Sequence, residues 1–268
     1  MEINGHNFTI GADPEIFMSV NGHFISAHDI IPGSKAEPYK VQNGAVQVDG
    51  MALEFNIDPA TDLEEFSNNL DIVQKQLLEM LPKGSNILSN STVEFDKEFY
   101  KKVPVPNRRL GCEPDYNAYT LKPNKKPSQK ALMRTAGGHI HIGGFFSGSP
   151  TESGHLQSGA RLARILDDTL GKYSILWDKD DLRRKLYGAA GAFRPKTYGM
   201  EYRSLSNAWI FSPTLVSFVY EGVVEALEKM FDFSFEPDPE VKNILDNSLR
   251  DHSLLNDSKG KFLRGHFA

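Results

Sequence analysis

The stretch Gly11-Ala12-Asp13-Pro14-Glu15-Ile16-Phe17-Met18-Ser19-Val20-Asn21-Gly22-His23-Phe24-Ile25-Ser26 decides the fold class. From Glu15 to Val20 the residues alternate, Asn21-Gly22 turns, and His23 to Ser26 returns. Asn-Gly between extended runs is a strong hairpin signal, because both turn residues need positive φ. The pattern recurs as Val41-Gln42, a turn at Asn43-Gly44, and Ala45 to Val48. A third strand reads over Met51 to Ile57. Met51, Leu53, Phe55 and Ile57 point one way, and Ala52, Glu54 and Asn56 the other.

A long helix follows. Thr61 and Glu64 form a capping box, Leu63, Phe66, Leu70, Val73, Leu77 and Leu81 make the buried stripe, and Pro82 and Gly84 end it. Helical patterns recur near 154 to 172 and 178 to 187. Ser212-Pro213 and Asp238-Pro239 start two more, since Pro suits the first helical position. Residues 101 to 130 are rich in Pro, Asn and Lys with little periodicity, and read as a long loop of the kind that often carries function. Strands mixed with helices, with Asn-Gly hairpins, predict an α+β fold around a largely antiparallel sheet. The reading is of one domain over 1 to 268, with a helical C-terminal part from about 212 and a mostly polar tail, Asn256 to Ala268, that is mobile or reaches a neighbouring subunit.

At 268 residues the chain can bury a substantial core. A hydrophobic share of 40% and a charged share of 24% are ordinary for a soluble globular protein. No apolar run approaches the roughly 20 residues of a membrane-spanning helix. Met1 to Gly5 has no basic segment leading into an apolar one, so a secretory signal is not expected. The single cysteine, Cys112, excludes an internal disulfide and fits a reducing cytoplasm. A net charge of -5 argues against general nucleic-acid binding, leaving nucleic acid only as a substrate to be modified.

Four segments carry chemistry, each readable as one exposed strand face. Asp13 and Glu15, two apart in a strand, share a face, with Pro14 fixing the backbone as suits an edge or bend. Two such carboxylates repel by roughly 4 kcal/mol at about 4 Å with an effective dielectric near ~20, and a divalent cation would reverse that penalty. Taken alone, the pair reads first as a solvated Asp-Pro turn entering a hairpin. Glu54 in Leu53-Glu54-Phe55-Asn56 matters only if its face is the one that carries Asp13 and Glu15. In Gly137-Gly138-His139-Ile140-His141-Ile142-Gly143, the two histidines share a face, and the flanking glycines let a ligand or strand approach closely. Such a pair binds one metal or splits its work between metal and phosphate. In Glu201-Tyr202-Arg203 the charged residues share a face. Upstream, Arg194 and Lys196 lie in a glycine-punctuated basic stretch suited to phosphate, whose oxygens the planar arginine fork grips. Arg183 to Lys185 reads as a solvated helix face. Carboxylates and imidazoles for metal, with arginines for phosphate, point to ATP chemistry in an open sheet.

The order Gly-x-Asp-Pro-Glu, Leu-Glu-Phe-Asn, Gly-Gly-His-Ile-His-Ile-Gly, Glu-Tyr-Arg resembles the glutamine synthetase and glutamate–cysteine ligase superfamily, in particular the COOH–NH2 ligases (amidoligases) of phage type. The resemblance spans about residues 11 to 210. It implies a curved antiparallel sheet with helices on one face, as in guanidino kinases. It implies Asp13, Glu15, Glu54, His139 and Glu201 as ligands of two or more Mg²⁺ or Mn²⁺ ions, with Asp13 one methylene shorter than the usual Glu. His141, Arg194, Lys196 and Arg203 would then attend the ATP phosphates, with Arg203, Arg194 and Glu54 in catalytic roles. The implied reaction is ATP-dependent joining of a small-molecule or peptide carboxylate to an amine through an acyl phosphate, in the cytoplasm (a host's, if phage-encoded). Three alternatives stay open: a guanidino or carboxylate kinase on the same fold, a zinc hydrolase using His139 and His141, and a non-catalytic module, against which the full set of charged residues argues. Oligomeric state and substrates are open, with Arg108, Arg109, Asp115, Tyr116 and Lys130 as candidate substrate contacts. Cys112 reads as a structural or substrate-contacting thiol, since no activating partner is evident.

Overall fold

The computed structural model describes residues 1–108, 115–125, 132–144 and 148–267. A small ribbon, β1 (Glu2–Ile3) and β2 (His6–Asn7), leads into the 12-residue strand β3 (Thr9–Val20). Strand β3 turns through Asn21 (φ 51°) and Gly22 (φ 80°) into β4 (His23–Ile25), the left-handed pair that Asn-Gly favours. The second hairpin joins β5 (Tyr39–Val41) to β6 (Gly44–Asp49), but Val41 pairs with Gly44, so the turn is Gln42-Asn43, one residue earlier than expected. Gly44 is small for another reason: a Cβ there would lie 2.0 Å from the Asn56 carbonyl oxygen. Strand β7 (Ala52–Ile57) follows, then helix α1 (Leu63–Glu79). The cap of α1 also sits one residue later than expected. Asp62 accepts from the Glu65 N–H at 2.8 Å, and the Glu65 carboxylate, not Glu64, accepts from the Thr61 N–H at 2.7 Å.

The stretch read as a loop contains structure. After β8 (Ser85–Leu88) and β9 (Thr92–Glu94) come short helices α2 (Lys97–Lys102) and α3 (Val105–Arg108), then β10 (Tyr116–Asn117) and β11 (Lys122–Pro123). Strand β12 (Met133–Thr135) pairs with β9, and β13 (Gly138–Gly143) enters the main sheet. Helix α4 (Ser153–Leu166) runs through a π-helical turn, Asp167–Gly171, into α5 (Lys172–Trp177). Then come α6 (Asp181–Leu186), β14 (Ala192–Lys196), β15 (Gly199–Tyr202), α7 (Pro213–Met230), α8 (Glu240–Asp246) and α9 (Ser258–Phe267). Ser212 caps α7, accepting from the Leu215 N–H at 3.4 Å, as its Ser-Pro start predicts.

The large sheet has the order β11-β10-β14-β15-β13-β3-β7-β6-β5, antiparallel at every step, with β4 and β8 pairing on the far end of β3. The fold is thus a mixed one, a large antiparallel sheet carrying helices, as expected. One face is apolar: Ile10, Ala12, Val46, Leu53, Phe55, Ile140, Ile142, Phe193, Met200 and Tyr202 are all buried. Helix α1 covers β6 and β7, α4 covers β14 and β15, and α7 packs against both helices. Burying one of the larger of these side chains stabilises the fold by about 1.5–3 kcal/mol, so this layer anchors the sheet that presents its other face.

Four expectations change. Pro14 lies in the central strand, not at an edge; it is the last position of the β3–β13 ladder, where pairing to β7 takes over at Glu15. Arg183 and Arg184 are buried, and only Lys185 of that trio is solvated. The tail, expected to be mobile or to reach a neighbouring subunit, instead forms α9, which packs on α5 of the same chain and buries Leu263. The functional face is not exposed either, since Glu54, His139 and Glu201 retain 4%, 4% and 0% of their surface. Among the described residues no helix is long and apolar enough to cross a membrane.

Candidate active site

Every residue singled out for chemistry lies on five neighbouring strands or one residue beyond them. Strand pairing converts separate motifs into rows. Arg194, Glu201 and His141 stand opposite one another across β14, β15 and β13. Asp13 stands opposite His139 across β3 and β13. Glu15, Glu54 and Gln47 form the next row across β3, β7 and β6. Period-two alternation puts the apolar residues between them on the helix side and these on the other.

The side chains converge. Asp13 Oδ1 lies 3.2 Å from His139 Nδ1 and 3.1 Å from His141 Nε2. His139 Nδ1 is 3.5 Å from Glu201 Oε1 and 3.4 Å from an Arg203 Nη1. Glu201 gathers three cations: Arg203 donates to Oε1, while Arg194 Nη1 and Lys196 Nζ each approach Oε2 at 3.1 Å. Arg203 Nε in turn faces Asp115 Oδ2 at 3.5 Å. Glu15 Oε2 accepts from the Gly137 N–H at 2.8 Å.

Crowding sets the charge states. Burial raises Asp13, but His141 and His139 beside it outweigh burial and hold its carboxyl well below the usual range. Burial pushes Glu15 up to about 7, helped by the neighbouring Asp49 and opposed by the Gly137 N–H. Glu54 is also raised well above its ordinary value, by burial and then by Asp49, Asp13 and Glu15. His139 is driven down to about 3, by burial and then Arg203, against the pull of Asp13. A neutral imidazole and carboxylates that resist ionisation in the absence of a cation are what a cation site of this composition produces.

The donor set fits a divalent metal. One ligand atom from each of Asp13, His141 and Glu201 can be chosen so that all lie within 4.8 Å of one another. Asp13 Oδ1, His141 Nε2 and Glu54 Oε2 are buried atoms without a hydrogen bond among the described residues. The carboxylate oxygens suit Mg²⁺ or Mn²⁺, and the imidazole extends the set toward transition metals, Zn²⁺ among them. The cluster includes His141, whereas the resemblance implied His139 as ligand; His139 lies alongside, between Asp13, Glu201 and Arg203.

Two cavities flank this row. A cleft of about 440 Å³ is lined by Gly11, Asp13, Glu54, Asn56, His141 and Tyr198, among others. A tighter one, about 50 Å³, lies on the other side among Glu15, Asp49, Gly137, Arg134, Arg183 and Arg203.

Four of these residues escaped sequence reading. Asp49 had a signal, being two residues from Gln47 on one face of β6, where Gln47 stands opposite Glu54 and Asp49 opposite Ala52. Arg183, read as solvated, is buried and donates to the carbonyls of Ala136 at 2.9 Å, Ser204 at 3.0 Å and Arg203 at 3.4 Å. Arg134 donates to the Met133 carbonyl at 2.7 Å and to Tyr100 Oη at 2.9 Å. Tyr198, on a turn, bonds His141. Of the candidate substrate contacts, Asp115 reaches the site, Arg108 stacks over the Tyr100 ring at 5.4 Å, and Tyr116 packs on Phe193 at 6.2 Å. Arg109, Cys112 and Lys130 lie outside the described residues.

Residues 121–231 match the family model described as phage phiEco32-like COOH.NH2 ligase-type 2. Over that stretch, which holds the Gly-Gly-His-Ile-His-Ile-Gly and Glu-Tyr-Arg segments, the match agrees with the resemblance drawn from the motifs. No curated protein matches the chain. Among solved structures, similar ones include a bifunctional glutathione synthetase from Pasteurella multocida, at 12% identity and TM-score 0.49, covering 96% of this chain and 46% of that one. Another is a glutamine synthase homolog at 11% identity and TM-score 0.41, covering 96% of this chain and 64% of that one. The chain spans less than two thirds of either protein.

Proposed function

We propose that this protein is an ATP- and Mg²⁺- or Mn²⁺-dependent carboxylate–amine ligase that forms an amide through an acyl phosphate. One observation carries the reading: the Asp13–His141–Glu201 cluster and the three cations on Glu201 lie between two cavities on one sheet face. The larger cleft suits the nucleoside, with its phosphates over the cluster. The tighter cavity, bordered by Arg134 and Arg203, suits the carboxylate to be activated. Asp13, His141 and Glu201, with Glu15 and Glu54, would hold divalent ions, which when bound neutralise phosphate oxygens.

The residues then do the following. Arg194 and Lys196 exchange Glu201 for phosphate oxygens of the nucleotide. Arg203 faces the phosphoryl group as it passes between two anions and stabilises the charge that spreads over its oxygens. Gly137 N–H holds Glu15 in place. Neutral His139 adds no competing positive charge beside Arg203. A carboxylate oxygen of the acid attacks the γ-phosphorus and ADP leaves. The amine attacks the acyl carbon, the C–O bond to phosphate breaks, and the amine gives up a proton as phosphate departs.

The test is turnover of ATP by the pure protein with Mg²⁺, hydroxylamine and a panel of amino acids and dicarboxylates. ADP formed together with a hydroxamate is the expected result and names the acid. ADP without hydroxamate, for every acid offered, would overturn the ligase reading in favour of a kinase. Bound zinc with no nucleotide requirement would overturn it in favour of a hydrolase.

A further inference from the structure

We propose that Tyr198 is a positioning residue that fixes the tautomer and direction of His141, so that His141 Nε2 faces the cation cluster. The inference rests on the metal-dependent reading above. It starts from the β14–β15 hairpin, where Lys196 pairs with Gly199 and leaves Thr197-Tyr198 as the turn. This turn lies down on the end of β13. The Tyr198 carbonyl accepts from the Gly144 N–H at 3.0 Å. A Cβ on Gly199 would stand 1.9 Å from the Ile142 carbonyl oxygen, and one on Gly144 would stand 2.0 Å from that of Asn7. Gly199, next to Tyr198, therefore lets the turn lie against the β13 backbone and brings Tyr198 to the histidine, while Gly144 admits the backbone of Asn7.

There the phenol oxygen bonds His141 Nδ1, with the two rings 5.9 Å apart. Across the same imidazole, Nε2 lies 3.1 Å from Asp13 Oδ1, and both of those atoms are buried without a hydrogen bond among the described residues. An imidazole that ligates a cation through Nε2 must carry its proton on Nδ1, and that N–H needs an acceptor. Tyr198 Oη is the acceptor in place. Its own O–H remains available to donate into the 440 Å³ cleft that Tyr198 lines. Residues that orient a ligand imidazole from behind typically change metal affinity about 10–100-fold when removed.

Tyr198→Phe deletes only the oxygen from a side chain that is 46% exposed, so the fold should tolerate it. The probe is Mn²⁺ alone, titrated into the metal-free full chain and followed by the electron paramagnetic resonance of free Mn²⁺, with Tm measured alongside. The expected result is Mn²⁺ affinity weakened about 10–100-fold, an unchanged metal-free Tm, and ATP turnover recovered at saturating Mn²⁺. Tyr198→Phe added to His141→Ala should cost nothing further. Wild-type affinity in Tyr198→Phe, or a further loss in the double variant, would overturn the positioning role while leaving the metal reading intact. A wild-type protein that binds no Mn²⁺ would overturn the metal reading, and this inference with it.

Discussion

Removing the charge of Glu15 should stabilise the metal-free protein, and increasingly so as pH rises. Glu15 moves from an ordinary value of 4.5 to about 7 in the folded chain, chiefly through burial. Below pH 4.5 both folded and unfolded chains hold the proton, and Glu15 contributes nothing. Between 4.5 and about 7 the unfolded chain releases it and the folded chain does not, so stability falls with pH. Above that window the loss is complete, at about 3 kcal/mol for a shift of this size. His139, lowered to about 3, has the opposite sign: its contribution grows as pH rises toward its ordinary 6.5. The raw stability curve therefore mixes the two, and the informative quantity is the difference between Glu15→Gln and wild type. Glutamine keeps a carbonyl oxygen for the Gly137 N–H and removes the titration.

The assay is differential scanning calorimetry of both proteins, stripped of metal by chelator, from pH 4.5 to 8. The Tm of Glu15→Gln should gain on wild type by about 6 °C across that range, from about 3 kcal/mol and the unfolding entropy of a chain this long. Adding Mg²⁺ or Mn²⁺ should raise the wild-type Tm more at pH 8 than at pH 5, since protons compete with the cation, and should raise that of the variant less. A gap that stays constant with pH would refute the charge assignment. A gap that widens while metal shifts neither protein would preserve the electrostatics and refute the cation site.

Three further outcomes test other parts of the argument. Arg183→Met leaves the carbonyls of Ala136, Ser204 and Arg203 without their shared donor and should cost about 3 kcal/mol or more in urea titration; Lys185→Met, on the solvated side, should stay within about 0.5 kcal/mol. Gly138→Ala places a Cβ 2.4 Å from Trp209 Nε1, which donates to the Gly138 carbonyl at 3.0 Å, so the urea midpoint should fall steeply. Arg203→Ala should lower kcat about 10²–10³-fold in a hydroxamate assay, with a small change in KM for ATP, if the guanidinium acts on charge that develops in the transition state.

Much of the fold was legible because alternation and turn chemistry are local. Asn21-Gly22 marked its hairpin, and Leu53, Phe55 and Ile57 announced the buried face of β7. The errors were local as well. Asn43-Gly44 slipped by one because Gly44 answers to the Asn56 carbonyl oxygen and Val73, contacts from elsewhere in the chain. The cap at Asp62 slipped because Thr61, Asp62, Glu64 and Glu65 offer two overlapping boxes, and only the fold chooses. Arg183 and Arg184 could not be read as buried, since what surrounds Arg183 is the meeting of β12, β13 and the end of β15, and what holds Arg184 is Ser174 and Asp178 of the preceding helix and its end. For the site, i and i+2 spacing identified which residues share a face within each strand. It could not say which strands adjoin. The order β14-β15-β13-β3-β7 brings the motifs together, and it is set by distant pairings.

That order also explains how one sheet can afford so many buried and half-buried charges. Arg194, Glu201, His141, Asp13, Glu15 and Glu54 alternate along their strands with Phe193, Tyr202, Ile140, Ala12, Ile16 and Leu53, all buried in the helix-side core. Each unfavourable carboxylate is thus fixed to a backbone whose other face is anchored by apolar burial. The acids cannot swing apart to relieve their repulsion without lifting a core residue from its packing. Relief comes instead through chemistry, by a proton on Glu15 and Glu54, by the cations on Glu201, or by a divalent ion. The rigidity that keeps these charges close together is what would hold the ligand atoms in place for the reaction.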